Sequence, residues 1–115
     1  MSRLALVVED DPAMLTIYER MLTTLDYEVL TANNGETAID ILASTTPDII
    51  FLDVLMPRVN GLEVISHIAN TPHLNGIRVI VASSNGQFEK HAHDLPNAEF
   101  ILKPLRPARI RELAE

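Results

Sequence analysis

Two apolar runs in this chain each end in acid. Ile49-Ile50-Phe51-Leu52 leads into Asp53, and Leu4-Ala5-Leu6-Val7-Val8 leads into Glu9-Asp10-Asp11. A hard cation such as Mg²⁺ takes oxygen ligands and is commonly held by one or two carboxylates with water and phosphate oxygens. Glu9, Asp10 and Asp53 supply that environment if the two runs lie side by side. The bland alternative makes Asp10 or Asp11 a helix cap and Asp53 a turn former before Pro57. Capping explains one acidic end but not two. Ser83 directly follows the run Arg78–Ala82, and Lys103 follows Phe100–Leu102 and precedes Pro104. Taken singly, Ser83 reads as an ordinary loop hydroxyl and Lys103 as a solvated charge. Taken together, four strand ends carry Glu-Asp, Asp, Ser and Lys.

The elements that must position these groups alternate along the chain. Strand-like runs at Leu4–Glu9, Glu28–Thr31, Ile49–Asp53, Ile77–Ala82 and Phe100–Leu102 are separated by helical patterns. Asp11 is the expected N-cap of the first helix, with Pro12 at its first position. Met14, Ile17, Tyr18, Met21, Leu22 and Leu25 then recur at helical spacing, the methionines as core. Asn33-Asn34-Gly35 turns into a second helix with Ala38, Ile39, Ile41 and Leu42, which Thr46-Pro47 stops. A third helix over Leu62–Ala69 is expected to turn Leu62, Ile65 and Ala69 inward. Between Ser83 and Pro96 the pattern weakens to a Phe88/Ala92/Leu95 row, which predicts a short fourth helix. Pro107–Ala114 starts a last helix with Ile110 and Leu113 inward. Parallel strands joined through helices require right-handed crossovers and a sheet covered on both faces. In such open sheets ligands bind beyond the carboxyl ends of the strands, where the acids stand.

Composition bounds the function. The chain has 115 residues, one domain's worth, and is 47% hydrophobic with few aromatics. Its net charge of −7 opposes a grip on a phosphate backbone, so no direct nucleic-acid binding is expected. There is no cysteine, which excludes disulfides, redox motifs and thiolate metal sites. No apolar run approaches the roughly 20 residues of a membrane span. The expected setting is the cytoplasm, with no membrane partner.

In its ordered motifs the chain resembles the receiver domain of two-component response regulators. The resemblance runs over essentially the whole length. It is carried by Val7-Val8-Glu9-Asp10-Asp11-Pro12, Leu52-Asp53-Val54-Leu55-Met56-Pro57 with Gly61, Val79–Ser83 and Lys103-Pro104, with Asn34-Gly35-Glu36 similar as well. It implies a single domain over 1–115 with a flavodoxin-like, doubly wound, five-stranded parallel sheet in the order 2-1-3-4-5. Asp53 would accept a phosphoryl group from a histidine kinase. Mg²⁺ would be held directly by Asp10, by Glu9 mostly through water, by Asp53 and by the backbone carbonyl of Leu55. Lys103 would pair with Asp53 and then with the phosphoryl oxygens. Ser83 would bond a phosphoryl oxygen and, with Phe100, form the switch. The domain would be a switch and not a turnover enzyme, although it assists its own phosphorylation and dephosphorylation. The ending at Glu115, about a turn short of a full last helix, is expected of a piece of a longer regulator carrying an effector domain.

Several positions depart from the family pattern. Glu9 stands where Asp is more frequent, Ser83 where Thr is, and Phe100 where Tyr often is. Leu55 and Asn85 flank the site and are placed to tune water access. The segment Ser84–Glu99 is about two residues short, and Asn97-Ala98 replaces the usual Gly-Ala. This places the output face in doubt and motivates a rival reading, a receiver-like interaction module that acts without phosphate. A metal-dependent phosphatase would want an acid where Leu55 stands. His91-x-His93-Asp94 could bind metal but reads better as a solvated face. Arg106, Arg109 and Arg111 could pair with acids of a second copy, making a homodimer through the fourth-helix and last-helix face.

Overall fold

The computed structural model describes residues 3–53 and 61–115. Five strands form one parallel sheet: β1 (Arg3–Val8), β2 (Tyr27–Ala32), β3 (Ile49–Asp53), β4 (Arg78–Ser83) and β5 (Ala98–Leu102). Their spatial order is β2-β1-β3-β4-β5, the order expected from the sequence. The chain reverses its direction of winding at β1, so β1 and β3 lie side by side with Val8 opposite Leu52. That adjacency brings the two acidic ends together.

The helices are α1 (Pro12–Thr24), α2 (Gly35–Leu42), α3 (Gly61–Ala69), α4 (Glu89–Ala92) and α5 (Pro107–Ala114). Strand side chains alternate between faces and separate two cores. On one face Leu6, Val8, Ile50, Leu52, Val79 and Val81 pack with residues of α2, α3 and α4. On the other, Ala5, Val7, Ile49, Phe51 and Ile80 pack with residues of α1 and α5. β3 is buried along its whole length and β4 at every residue after Arg78, which explains why they read as apolar runs.

Local signals set the helix starts. Asp11 caps α1, its carboxylate accepting from the Ala13 amide at 3.0 Å, and Pro12 opens the helix without needing a donor. Asn34 caps α2, accepting from the Thr37 amide at 2.8 Å. In α1 only Tyr18 and Leu22 are fully buried; Met14 and Met21 pack half-buried against the core. The inward face of α3 differs from expectation. Val64, Ile65 and Ile68 are buried, Leu62 is half-buried and Ala69 is exposed. Five of the nine residues in Gly-Leu-Glu-Val-Ile-Ser-His-Ile-Ala are large or small aliphatics, so the stripe has two possible phases, and the larger side chains win the core. α4 is a single turn after a 3₁₀ turn at Gly86–Phe88, in line with the weak pattern there. β4 runs one residue further than expected, into Ser83, and β5 starts earlier, at Ala98.

The carboxyl end of α5 is held by three donors from the sheet's other end. Tyr27 donates its hydroxyl to the Ala114 carbonyl at 2.8 Å, Arg3 reaches the same carbonyl at 3.3 Å, and Arg78 reaches the Leu113 carbonyl. The Arg3 guanidinium also lies over the Tyr27 ring, 4.2 Å from its centroid.

Candidate functional site

The carboxyl ends of β1, β3 and β5 converge on one cleft of about 440 Å³. Its wall includes Glu9, Asp10, Asp53 and Lys103. Glu9 directly follows β1, and its amide still bonds the Ala32 carbonyl of β2 at 2.9 Å, so its backbone is fixed by the sheet. Its side chain is buried, as expected from the strand alternation that puts Ala5, Val7 and Glu9 on the α1 and α5 face. The same alternation carries Ile49, Phe51 and Asp53 to that face. Asp11 is used as the helix cap, which leaves the exposed Asp10 available to the cleft.

Lys103 closes the group. Its amide donates to the Ser83 carbonyl at 2.8 Å, tying the chain after β5 to the end of β4. Its ammonium then reaches Asp53 Oδ2 at 3.1 Å and Glu9 Oε1 at 3.6 Å. Buried Leu105, two residues on, anchors the loop beneath it.

One ammonium faces three acids. Carboxylate oxygens of Glu9, Asp10 and Asp53 all lie within 4.8 Å of one another. Burial, followed by the hydrogen bond and charge of Asp53, pushes the Glu9 carboxyl up to about 8, against the opposing pull of Lys103. Burial disfavours the Lys103 ammonium, yet the Asp53 hydrogen bond and the charges of Asp53 and Glu9 outweigh it, so its affinity for the proton is raised. Tyr18 on α1 is pushed well above the ordinary phenol range, first by burial and then by Glu9 and Asp53. Glu9 Oε2 is buried and has no hydrogen-bond partner among the described residues. An orphaned carboxylate oxygen beside two further acids suits a divalent cation, which would supply the missing charge.

The expected residues fall into two groups. Glu9, Asp10, Asp53 and Lys103 are brought together. Ser83 is the buried last residue of β4, and its Oγ accepts the Asn85 amide at 3.1 Å. By alternation with Val79 and Val81, Ser83 belongs to the opposite face of the sheet. Phe100 lies there too: it pairs with Val81 in the sheet and packs half-buried against that core. Ser83 therefore stands at the top of the sheet between cleft and switch side. The Leu55 carbonyl lies outside the described residues. His91 and His93 are not brought into any cluster of three metal-binding side chains among the described residues. Arg109 pairs within the chain with Glu99 and Glu112, and Arg111 with Glu115. Ser84 and Met14 also line the cleft; sequence reasoning did not single out Ser84 and placed Met14 in the core. Only the position of Ser84, next to a strand end, could have signalled it.

The family model for the response regulator receiver domain matches residues 5–115. The protein named Regulator of RpoS from Escherichia coli is 31% identical over 109 residues, covering 94% of this chain and 32% of its own length. The chain spans between about a quarter and a half of the length of the curated relatives it matches. Among solved structures, the chemotaxis response regulator CheY4 of Vibrio cholerae superposes with a TM-score of 0.88 at 19% identity, covering 97% of this chain and 95% of that one. The receiver domain of the sensor histidine kinase PA1611 from Pseudomonas aeruginosa, with a magnesium ion coordinated in its active-site cleft, gives 0.86 at 24% identity, covering 99% and 95%.

Proposed function

The chain belongs to the response regulator receiver family, the phosphoacceptor domains of two-component systems, and we propose that Asp53 is its phosphoacceptor. The observation that carries this reading is the ammonium of Lys103 on Asp53 Oδ2 inside a cleft whose other charged groups, among the described residues, are all acids. The Asp53 carboxylate is the nucleophile: one of its oxygens bonds to phosphorus while the donor's bond to phosphorus breaks, leaving an acyl phosphate. Such transfer needs positioning and charge neutralisation more than covalent machinery. Lys103 stays with the site and meets the phosphoryl oxygens. Asp10 and Asp53 would hold Mg²⁺ directly and Glu9 would support it mostly through water; the Leu55 carbonyl, expected as a further ligand, lies outside the described residues. When bound, Mg²⁺ supplies the positive charge that the three acids lack. Ser83 donates its hydroxyl proton to a phosphoryl oxygen while its Oγ can go on accepting the Asn85 amide, and Phe100 responds from the other face.

The domain thus acts as a switch, with a histidine kinase as donor and an attached effector domain or separate protein as receiver of the signal. The described residues contain no helix long and apolar enough to cross a membrane. A homodimer through the α4 and α5 face would have to re-pair Arg109 and Arg111. The intact acid and lysine set disfavours a module acting without phosphate.

Asp53→Asn tests the assignment. It should abolish acid-labile labelling by acetyl phosphate, and beryllofluoride should bind the native chain only when Mg²⁺ or Mn²⁺ is present. Persistent labelling of the variant would overturn the choice of Asp53.

A further inference from the structure

All four glycines of the chain follow an asparagine: Asn34–Gly35, Asn60–Gly61, Asn75–Gly76 and Asn85–Gly86. Such pairs carry a spontaneous chemistry, because a glycine amide has no side chain to shield it. The glycine nitrogen attacks the asparagine Cγ. The new N–Cγ bond forms, the Cγ–Nδ2 bond breaks, and ammonia leaves with the amide proton. Water then opens the cyclic imide at either carbonyl, giving aspartate or an isoaspartate whose backbone is one carbon longer. The reaction requires a free side-chain amide, a free glycine N–H and room for the backbone to rotate.

The fold grants these conditions unequally. Asn34 is buried; its Oδ1 accepts the Thr37 amide at 2.8 Å and its Nδ2 donates to Asn33 Oδ1 at 3.0 Å. Asn85 is exposed, but its Oδ1 accepts the Gln87 amide at 2.9 Å. Asn60 lies outside the described residues. Asn75 is exposed, and its side chain has no hydrogen-bond partner among the described residues. Gly76 beside it has φ +88° in open space, with nothing within 4 Å of where a Cβ would stand, and its amide makes no hydrogen bond among the described residues.

We propose that Asn75–Gly76 is a deamidation site of the folded chain, converting to aspartate and isoaspartate without an enzyme. The product adds one negative charge to the net −7. It forms at the amino end of β4, the opposite end from Ser83 and the acidic cleft, so the phosphoacceptor chemistry survives it. The Gly76 carbonyl accepts from Asn97 Nδ2 at 3.2 Å, so lengthening the backbone here is felt where the chain enters β5.

The test incubates the chain at mildly alkaline pH, folded and in urea, and localises the exchange of NH for O by fragment mass spectrometry, each asparagine being read from its own fragments. In the folded chain Asn75 should convert at least about tenfold faster than Asn34, the population cost of opening two hydrogen bonds, and faster than Asn85. In urea the three rates should converge. The converted fraction, separated by anion exchange, should still bind beryllofluoride with Mg²⁺. Conversion of Asn75 no faster than that of Asn34 or Asn85 in the folded chain would overturn the proposal, and loss of beryllofluoride binding would overturn its separation from the cleft.

Discussion

Replacing Glu9 by glutamine should stabilise the metal-free domain, and increasingly so as pH rises. In the folded chain the Glu9 carboxyl keeps its proton up to about 8, against 4.5 for an ordinary glutamate. Between those values the native state binds more protons than the unfolded one, so stability falls with rising pH. The contribution is fully present below about 4.5 and lost as pH passes about 8. Each factor of ten in proton affinity is worth about 1.4 kcal/mol, so the full displacement is on the order of 5 kcal/mol if Glu9 titrates alone. Asp53 and Lys103 share its protons, which spreads the transition and lowers what one substitution recovers. We expect a gain of about 2–3 kcal/mol for Glu9→Gln over the native chain near pH 9, shrinking to within about 0.5 kcal/mol near pH 5. Glutamine keeps the shape and stays neutral, so the change isolates the charge. The assay is urea unfolding in a chelator at several pH values, followed by the same series with Mg²⁺. The metal should flatten the native curve and reverse the ranking at high pH, because a bound cation stabilises only the chain that holds it. Parallel pH curves for variant and native chain in the chelator would refute the reasoning.

Three other outcomes follow from the geometry. Asp10→Asn should weaken Mg²⁺ binding more than Glu9→Gln, since Asp10 is free of the capping task that Asp11 performs; a titration with equal losses would reverse the assigned roles. Tyr27→Phe deletes the buried bond to the Ala114 carbonyl and should cost about 1 kcal/mol in urea unfolding, leaving beryllofluoride binding unchanged. Beryllofluoride should alter hydrogen exchange in Ser83–Asn97, where α4 is a single turn and which leads into the half-buried Phe100 of β5. Changes confined to Asn34–Ala43 would contradict that.

The parts of the fold legible in the sequence were those that burial forces to be unambiguous. β1 and β3 are covered on both faces, so their runs are unbroken until Glu9 and Asp53, and the break itself marks the site. Asp11-Pro12 and Asn34-Gly35 set helix starts by local bonds that need no tertiary context. The face of α3 was not legible, because Leu62, Val64, Ile65, Ile68 and Ala69 fit two stripes and only the neighbouring helices choose between them. Nor could the sequence show that Ser83 sits inside the ladder with its hydroxyl on the Asn85 amide. That bond depends on how the loop after β4 turns. The elevated proton affinity of Glu9 was likewise hidden: it arises from depth and from Asp53, 44 positions away, which no local pattern encodes.

Four of the cleft's charged groups come from the ends of β1, β3 and β5, at positions 9, 10, 53 and 103 along the chain. No short fragment holds them, and β5 joins the sheet only through β4, which lies between it and β3. A nascent or partly unzipped chain therefore has scattered acids but no cleft. The cleft exists only in molecules whose sheet is complete, so the topology doubles as a proofreading step: a chain with an unfinished or unzipped sheet presents no site to read.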